Sequence, residues 1–297
     1  MSNKYLTADG AFSYEINNNS ITILSYEGNE HFLPIPDKMD DLPVTTIASK
    51  AFLGKKNITH LILPDSVTAI GDWAFAHMSG LQVITLPSGD LTLGKQLFMD
   101  CPSLTEIHIS GKSDADPALS FYMAAIYTAL KSMLLFRPSD AGSPAWYGEL
   151  DDAICRFLDR PDDDGFEPVY LGWFEDEDVM TTQYPPYIQK KRLEKAALSL
   201  RRLRFSNVLN DSHKLIYQNY LRTHLDTGVR DCMLSEPYRE DSGYLQLILD
   251  LSCITADNID LLIADFNRVG ATQAVAMLIN YKDTQLVTND FFEQLSI

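Results

Sequence analysis

The sequence predicts an α+β protein in two parts, a short solenoid of 23-residue coils over residues 1–112 followed by an all-α domain over 113–297. Three observations carry that reading. Apolar side chains recur at a fixed step of 23 residues between Ile47 and Ile109, the mark of stacked units that bury their cores only against one another. After the loop "SGKSDADPA", 110–118, this pattern gives way to apolar spacing of i, i+3, i+4. A chain of 297 residues, 45% hydrophobic and 22% charged, is long and apolar enough for two packed cores.

Three segments stack at the 23-residue step: "ITHLILP" from Ile58, "LQVITLP" from Leu81 and "LTEIHIS" from Leu104. Their apolar columns are Ile58, Leu81, Leu104; Leu61, Ile84, Ile107; and Leu63, Leu86, Ile109. Further columns run through Ile47, Ile70, Leu93 and through Phe52, Phe75, Phe98. The second and third positions of each segment are two residues apart, so each segment should be a short strand with those side chains on one face. The Phe residues follow a turn, and the chain there is expected to open a helical turn whose ring fills the space between coils. Gly71 and Gly94 precede that turn, where a left-handed backbone or a close approach favours glycine, and Ala48 takes the place in the first coil. Pro64 and Pro87 should end their strands for want of an N–H.

With the A-F and L-P signatures, residues 10 to 110 resemble the BspA-type leucine-rich repeat family, found largely in bacteria and some protozoa. Upstream of the regular coils, "FSYEINNNSITILSYEGNEHFLPIPDKMDDLPVTTIASKAF" resembles that family's N-terminal entry, which implies a strand at "ITILSYEG", a degenerate coil at "LPIP" and a lead-in at "LPVTTI". The resemblance implies a right-handed leucine-rich-repeat solenoid, residues 1–112 including an N-terminal capping segment, and binding of a protein or surface. It implies no chemistry.

In the second half, Leu119 to Phe136 reads as an apolar helix, too short to cross a membrane before Lys131. "ELDDAICRFLD" reads as a shorter helix with Leu150, Ile154, Phe157 and Leu158 on one side. Ile259, Leu262, Ile263 and Phe266, then Gly270, then Val275, Leu278 and Ile279 give a helical hairpin over 257–282. With "GYLQLILDLSC" before and "NDFFEQLSI" after, the tail weakly resembles ankyrin-like helical hairpins, although the T-P-L-H-x-A stretch is missing. A block of helices is also expected to seal the open end of so short a solenoid.

The net charge of −17 opposes binding to phosphate backbones, so no nucleic-acid partner is expected, and no membrane span. The acidic stretch 149–178 carries 12 carboxylates and two Arg. With Gly165 at position 6 of an EF-hand loop, Arg160 falls at position 1 and Leu171 at position 12, so that motif fails. A looser cation site at Asp162, Asp163 and Asp164 stays open as an alternative, as does an enzyme using these acids. The neighbouring segment 190–204 carries seven basic residues and one acid, which favours pairing within the chain over an external anion. Asp211 or Ser212 reads as a helix N-cap. The six histidines and four cysteines form no metal, redox or triad spacing, so no cofactor, no metal and no catalytic residue is expected.

The repeat singles out the side chains opposite its buried columns: His60, Val83 and Glu106 in one row, Ile62, Thr85 and His108 in another. These six are the expected partner-binding residues of a non-catalytic protein-protein interaction module. The N-terminus lacks a basic start and apolar run, so a cytoplasmic location is expected. A secreted or cell-surface adhesin is the alternative.

Overall fold

The computed structural model describes residues 3–112, 116–166 and 182–286, and falls into two compact units, Met1–Leu150 and Asp151–Ile297.

The first unit is a β-solenoid. Its entry is an antiparallel meander of β1 (Asn3–Leu6), β2 (Gly10–Asn17) and β3 (Ser20–Gly28), after which every coil-to-coil pairing is parallel. One sheet continues from β3 through β6 (Leu42–Ile47) and β8 (Ala69–Ile70) to β10 (Thr92–Leu93), with β5 (Lys38–Met39) paired to β6. The other runs β4 (Phe32–Pro34), β7 (His60–Ile62), β9 (Val83–Leu86), β11 (Glu106–Ile109). The register keeps the 23-residue step: His60 pairs with Val83 and Val83 with Glu106. The step from β4 to β7 is longer, Phe32 standing beside His60. The sequence pattern located the second ladder; in the first, the strands at Ile70 and Leu93 have only two residues each, too few to show an alternation.

The strands alternate as their spacing requires. Val83 and Thr85 are half-buried while Ile84 and Leu86 are buried, and β11 repeats the pattern. Phe52, Phe75 and Phe98 form one internal file with centroids 5.8 and 5.5 Å apart. Tyr26 extends it at the entry, 6.3 Å from Phe52, and Tyr127 and Phe136 close it at 5.0 and 6.1 Å from Phe98. Burying each such ring contributes roughly 1.5–3 kcal/mol, and each ring pair roughly 0.5–1.5 more.

The expected helical turn at these Phe residues is not there. The chain instead makes an open arc whose alternate N–H groups bond the next coil: Phe52 N to Ala74 O at 2.8 Å, Phe75 N to Leu97 O at 3.2 Å, His77 N to Met99 O at 2.7 Å. Left-handed residues stand at both ends of each arc, Lys50, Trp73 and Gln96 at one and Gly54, His77 and Asp100 at the other, all with φ between 50° and 70°. A helix would need those N–H groups internally and cannot propagate through a left-handed residue. Gly71 and Gly94 answer to close approach, not to left-handed backbone. A Cβ at Gly71 would lie 2.4 Å from Ser49 N, and one at Gly94 2.4 Å from Asp72 N.

The far edge is sealed inside the same unit by α1 (Leu119–Thr128), which packs on β11. Buried Asp116 accepts from Ala118 N at 2.9 Å and from the Tyr147 hydroxyl, fixing the start of α1. The expected single helix to Phe136 breaks: α1 stops at Thr128, Lys131 is left-handed, and a 3-10 turn spans Met133–Leu135. The next helix, α2 (Pro144–Asp159), starts earlier than its apolar stripe suggests. Pro144 suits a first helical position and Ser143 Oγ accepts from Trp146 N at 3.2 Å. The division between the units falls within α2.

The second unit contains α3 (Tyr184–Arg204), α4 (Asp211–Thr223), α5 (Arg230–Leu234), α6 (Ser242–Asp250), α7 (Ala256–Arg268) and α8 (Thr272–Tyr281). The N-cap of α4 is Asn210, whose side chain accepts from His213 N at 2.8 Å, and not Asp211 or Ser212. The hairpin α7–α8 turns at Gly270, φ 75°. Its first helix buries Ile259, Leu262 and Phe266 as expected, but the second buries Ala274 and Leu278 and leaves Ile279 46% exposed. The stretch "NDFFEQLSI" lies outside the described residues.

Candidate functional site

Both expected rows lie on the outer face of the four-stranded sheet. His60, Val83 and Glu106 are register partners, as are Ile62, Thr85 and His108, and all six are half-buried. Their neighbours Leu61, Ile84 and Ile107 point inward and are 0–1% exposed. β4 lengthens both rows by one position, which the sequence reading missed: Phe32 beside His60 and Pro34 beside Ile62. Phe32 is 57% exposed with its ring 6.2 Å from the His60 imidazole. The longer step between "FLP" and "HLI" keeps the degenerate coil at "LPIP" out of the 23-residue columns, so its outward residues did not join the six.

The face has a polar end and an apolar end. On β11, His108 Nε2 lies 2.6 Å from Glu106 Oε2, and Ser120 of α1 reaches the same oxygen at 3.5 Å. Both contacts fall on Oε2, and the two side chains keep 36% and 39% exposure. Toward the β4 end stand Phe32, Pro34 and Ile62, with His60 beside Phe32 and Val83 between His60 and Glu106. Where β4 and β7 leave the sheet, Asp37 and Asp65 are exposed at the same offset that pairs Phe32 with His60.

In the second unit the acidic and basic segments meet. Arg202 and Asp151, both fully buried, form a two-point pair at 2.7 and 2.8 Å, and Tyr217 donates to Asp151 Oδ1 at 2.7 Å. Asp162 receives Lys195 Nζ at 2.8 Å and Arg192 Nε at 2.9 Å. Partial burial pushes the Asp162 carboxyl up, but these two cations outweigh it and hold it below the usual carboxylate value. Asp164 lies 3.6 Å from Arg160 and Asp152 3.1 Å from His213. Residues 167–178 of the acidic stretch lie outside the described residues. Among the described residues no group of three His, Cys, Asp or Glu side chains could hold a metal ion.

All four cysteines are free. Burial pushes Cys101 and Cys155 up to about 11 and Cys232 up to about 12, so these thiols are protonated and poorly nucleophilic at neutral pH. No described helix is long and apolar enough to cross a membrane.

Residues 42–131 match the family model of the BspA type leucine rich repeat region, in six copies. No curated protein matches the chain. Among solved structures, the chain is similar to a leucine rich cell surface protein from Faecalibacterium prausnitzii, with 30% identity and TM-score 0.31, over 36% of this chain and 31% of that one. A leucine rich repeat protein of T. pallidum matches at 24% identity and TM-score 0.28, over 34% of this chain and 62% of that one. One from Bacteroides ovatus matches at 23% identity and TM-score 0.31, over 35% and 28%. In each case the match spans less than two thirds of the other protein, and it falls on about a third of this one.

Proposed function

We propose that the protein is a non-catalytic binding module that docks a protein partner on the outer face of the sheet β4-β7-β9-β11. The observation that carries this reading is the pair of rows Phe32, His60, Val83, Glu106 and Pro34, Ile62, Thr85, His108. They set aliphatic, aromatic, imidazole and carboxylate groups side by side on a rigid ladder whose inward columns are buried. Strand-lined faces of solenoids serve as extended binding surfaces, and a mixed apolar and polar composition is typical of interfaces that form and dissolve.

A photo-crosslinking residue placed at Val83 tests it, with the same residue at Lys50 on the opposite arc as the reference, both expressed in the source cell. Adducts at Val83 that are missing at Lys50, and that disappear in the triple variant His60→Ala, Glu106→Ala, His108→Ala, support the face. Identical adducts at both positions overturn it.

A cytoplasmic location is part of this proposal. Four cysteines that are all free fit a reducing compartment. Recovery of the native protein from the envelope or medium on fractionation would favour the surface alternative.

A further inference from the structure

The dimensions of the face restrict what it can hold. Four strands about 4.8 Å apart, each offering three or four residues at about 3.3 Å, make a platform of roughly 200 Å². A stable contact between folded domains buries about 800 Å² on each side. The platform is a quarter of that and is closed at the β11 end, where α1 packs. Its width, about 19 Å, equals about six residues of extended chain.

The charges restrict the sequence of such a segment. In the rows and in the chain just past β4 and β7 the carboxylates are Glu106, Asp37 and Asp65; the rows also carry the imidazoles His60 and His108, and Lys38 follows Asp37. Glu106 engages His108 and Ser120 through Oε2 and keeps 39% of its side chain exposed, which leaves it able to accept from an incoming donor as well. Phe32, Ile62 and Val83 offer apolar contact between these acids. The complement is a chain that alternates aliphatic side chains with Lys or Arg.

Building on the docking face proposed above, we infer that its occupant is a short cationic, aliphatic segment of the partner. The segment lies across the four strands, its aliphatic side chains on Phe32, Ile62 and Val83 and its cations toward Glu106 and the Asp37–Asp65 rim. A folded domain would need surface that the sheet does not offer.

The test uses the full chain and a fluorescently labelled synthetic peptide of alternating Val and Lys, with a Val and Glu peptide as its counterpart, read by anisotropy. The Val-Lys peptide should bind and the Val-Glu peptide should not. Replacing Phe32 and Ile62 with Ser should weaken binding by at least about tenfold. Glu106→Gln with Asp65→Asn should weaken it several-fold, with the loss shrinking as salt is raised. The decisive reference is Asp257→Asn with Asp283→Asn, two exposed acids in the second unit, which alters net charge equally.

Equal weakening by both amide pairs would show bulk attraction to a chain of net charge −17, and would overturn the inference. So would unchanged binding in the Phe32 and Ile62 variant, or no binding by the Val-Lys peptide. If position-specific adducts still form at Val83 in any of these cases, the docking face stands and only the nature of its occupant is wrong. Circular dichroism of each variant checks that the fold is retained, which exposed and half-buried positions outside the buried columns should allow.

Discussion

The two units bury their interiors by different means. In the solenoid each buried position is a column, so Phe52, Phe75 and Phe98 meet the same surroundings three times over. In the helical unit the interior holds single pairings without a counterpart, above all Arg202 with Asp151 and Tyr217, and Lys195 with Asp162. Stability in the first is spread over equivalent contacts. In the second it hangs on geometry that one substitution removes, because a buried charge that loses its partner keeps its desolvation cost.

The largest effects should fall on the centre of each interior. Arg202→Met leaves Asp151 buried and charged, and should destabilise by roughly 3–5 kcal/mol in urea unfolding; adding Asp151→Leu should recover part of the loss. Phe75→Ala should cost roughly 3–5 kcal/mol through the cavity it opens, but with no recovery from changing Phe52 or Phe98. That contrast in coupling separates the two kinds of core. Equal recovery in both would dissolve the distinction.

A smaller effect tests the coil spacing. Gly71→Ala puts a methyl group against the backbone of Ser49 and should cost roughly 1–3 kcal/mol. Its chevron or melt should show no such cost for Ala at Gly89, which has open space around it.

The pH response should differ between the units. Because the folded Asp162 carboxyl titrates below its unfolded value, its stabilising contribution is complete above the ordinary Asp range and is lost as pH falls through the folded value. Asp162→Asn should therefore flatten the acid side of the stability profile and lower stability at neutral pH, as followed by urea midpoints across pH. An unchanged acid limb would mean that Lys195 and Arg192 do not hold that carboxylate in solution.

The smallest change belongs to Lys50, exposed and left-handed at the start of the first arc. Lys50→Gly removes a strained conformation that costs about 1–2 kcal/mol while adding freedom to the unfolded chain. The two nearly cancel, so the melting midpoint should move by no more than a few degrees.

What the sequence disclosed follows the same division. The columns were legible because three coils repeat one signal, which fixes the inward and outward sides of β7, β9 and β11 and with them six residues of the candidate face. Phe32 and Pro34 were not, since five additional residues separate their coil from the next register partner. The arcs were misread as helical because Lys50, Trp73 and Gln96 carry no chemical mark of a left-handed backbone, as glycine would. In the helical unit the excess of acid beside base was visible as composition. Which acid meets which base was not, for Asp151 and Arg202 stand 51 positions apart and nothing periodic links them.

The two sealed ends of the solenoid also dictate how such a protein lengthens. The antiparallel meander β1-β2-β3 at one edge and α1 at the other do not repeat the parallel coil, so a further coil outside them finds no copy of itself to stack on. Growth has to occur by duplication in the interior, where one 23-residue turn already fits against its copy. Each such duplication would widen the outer platform by one strand while leaving both closures intact, which makes the reach of the surface a heritable variable independent of the fold that supports it.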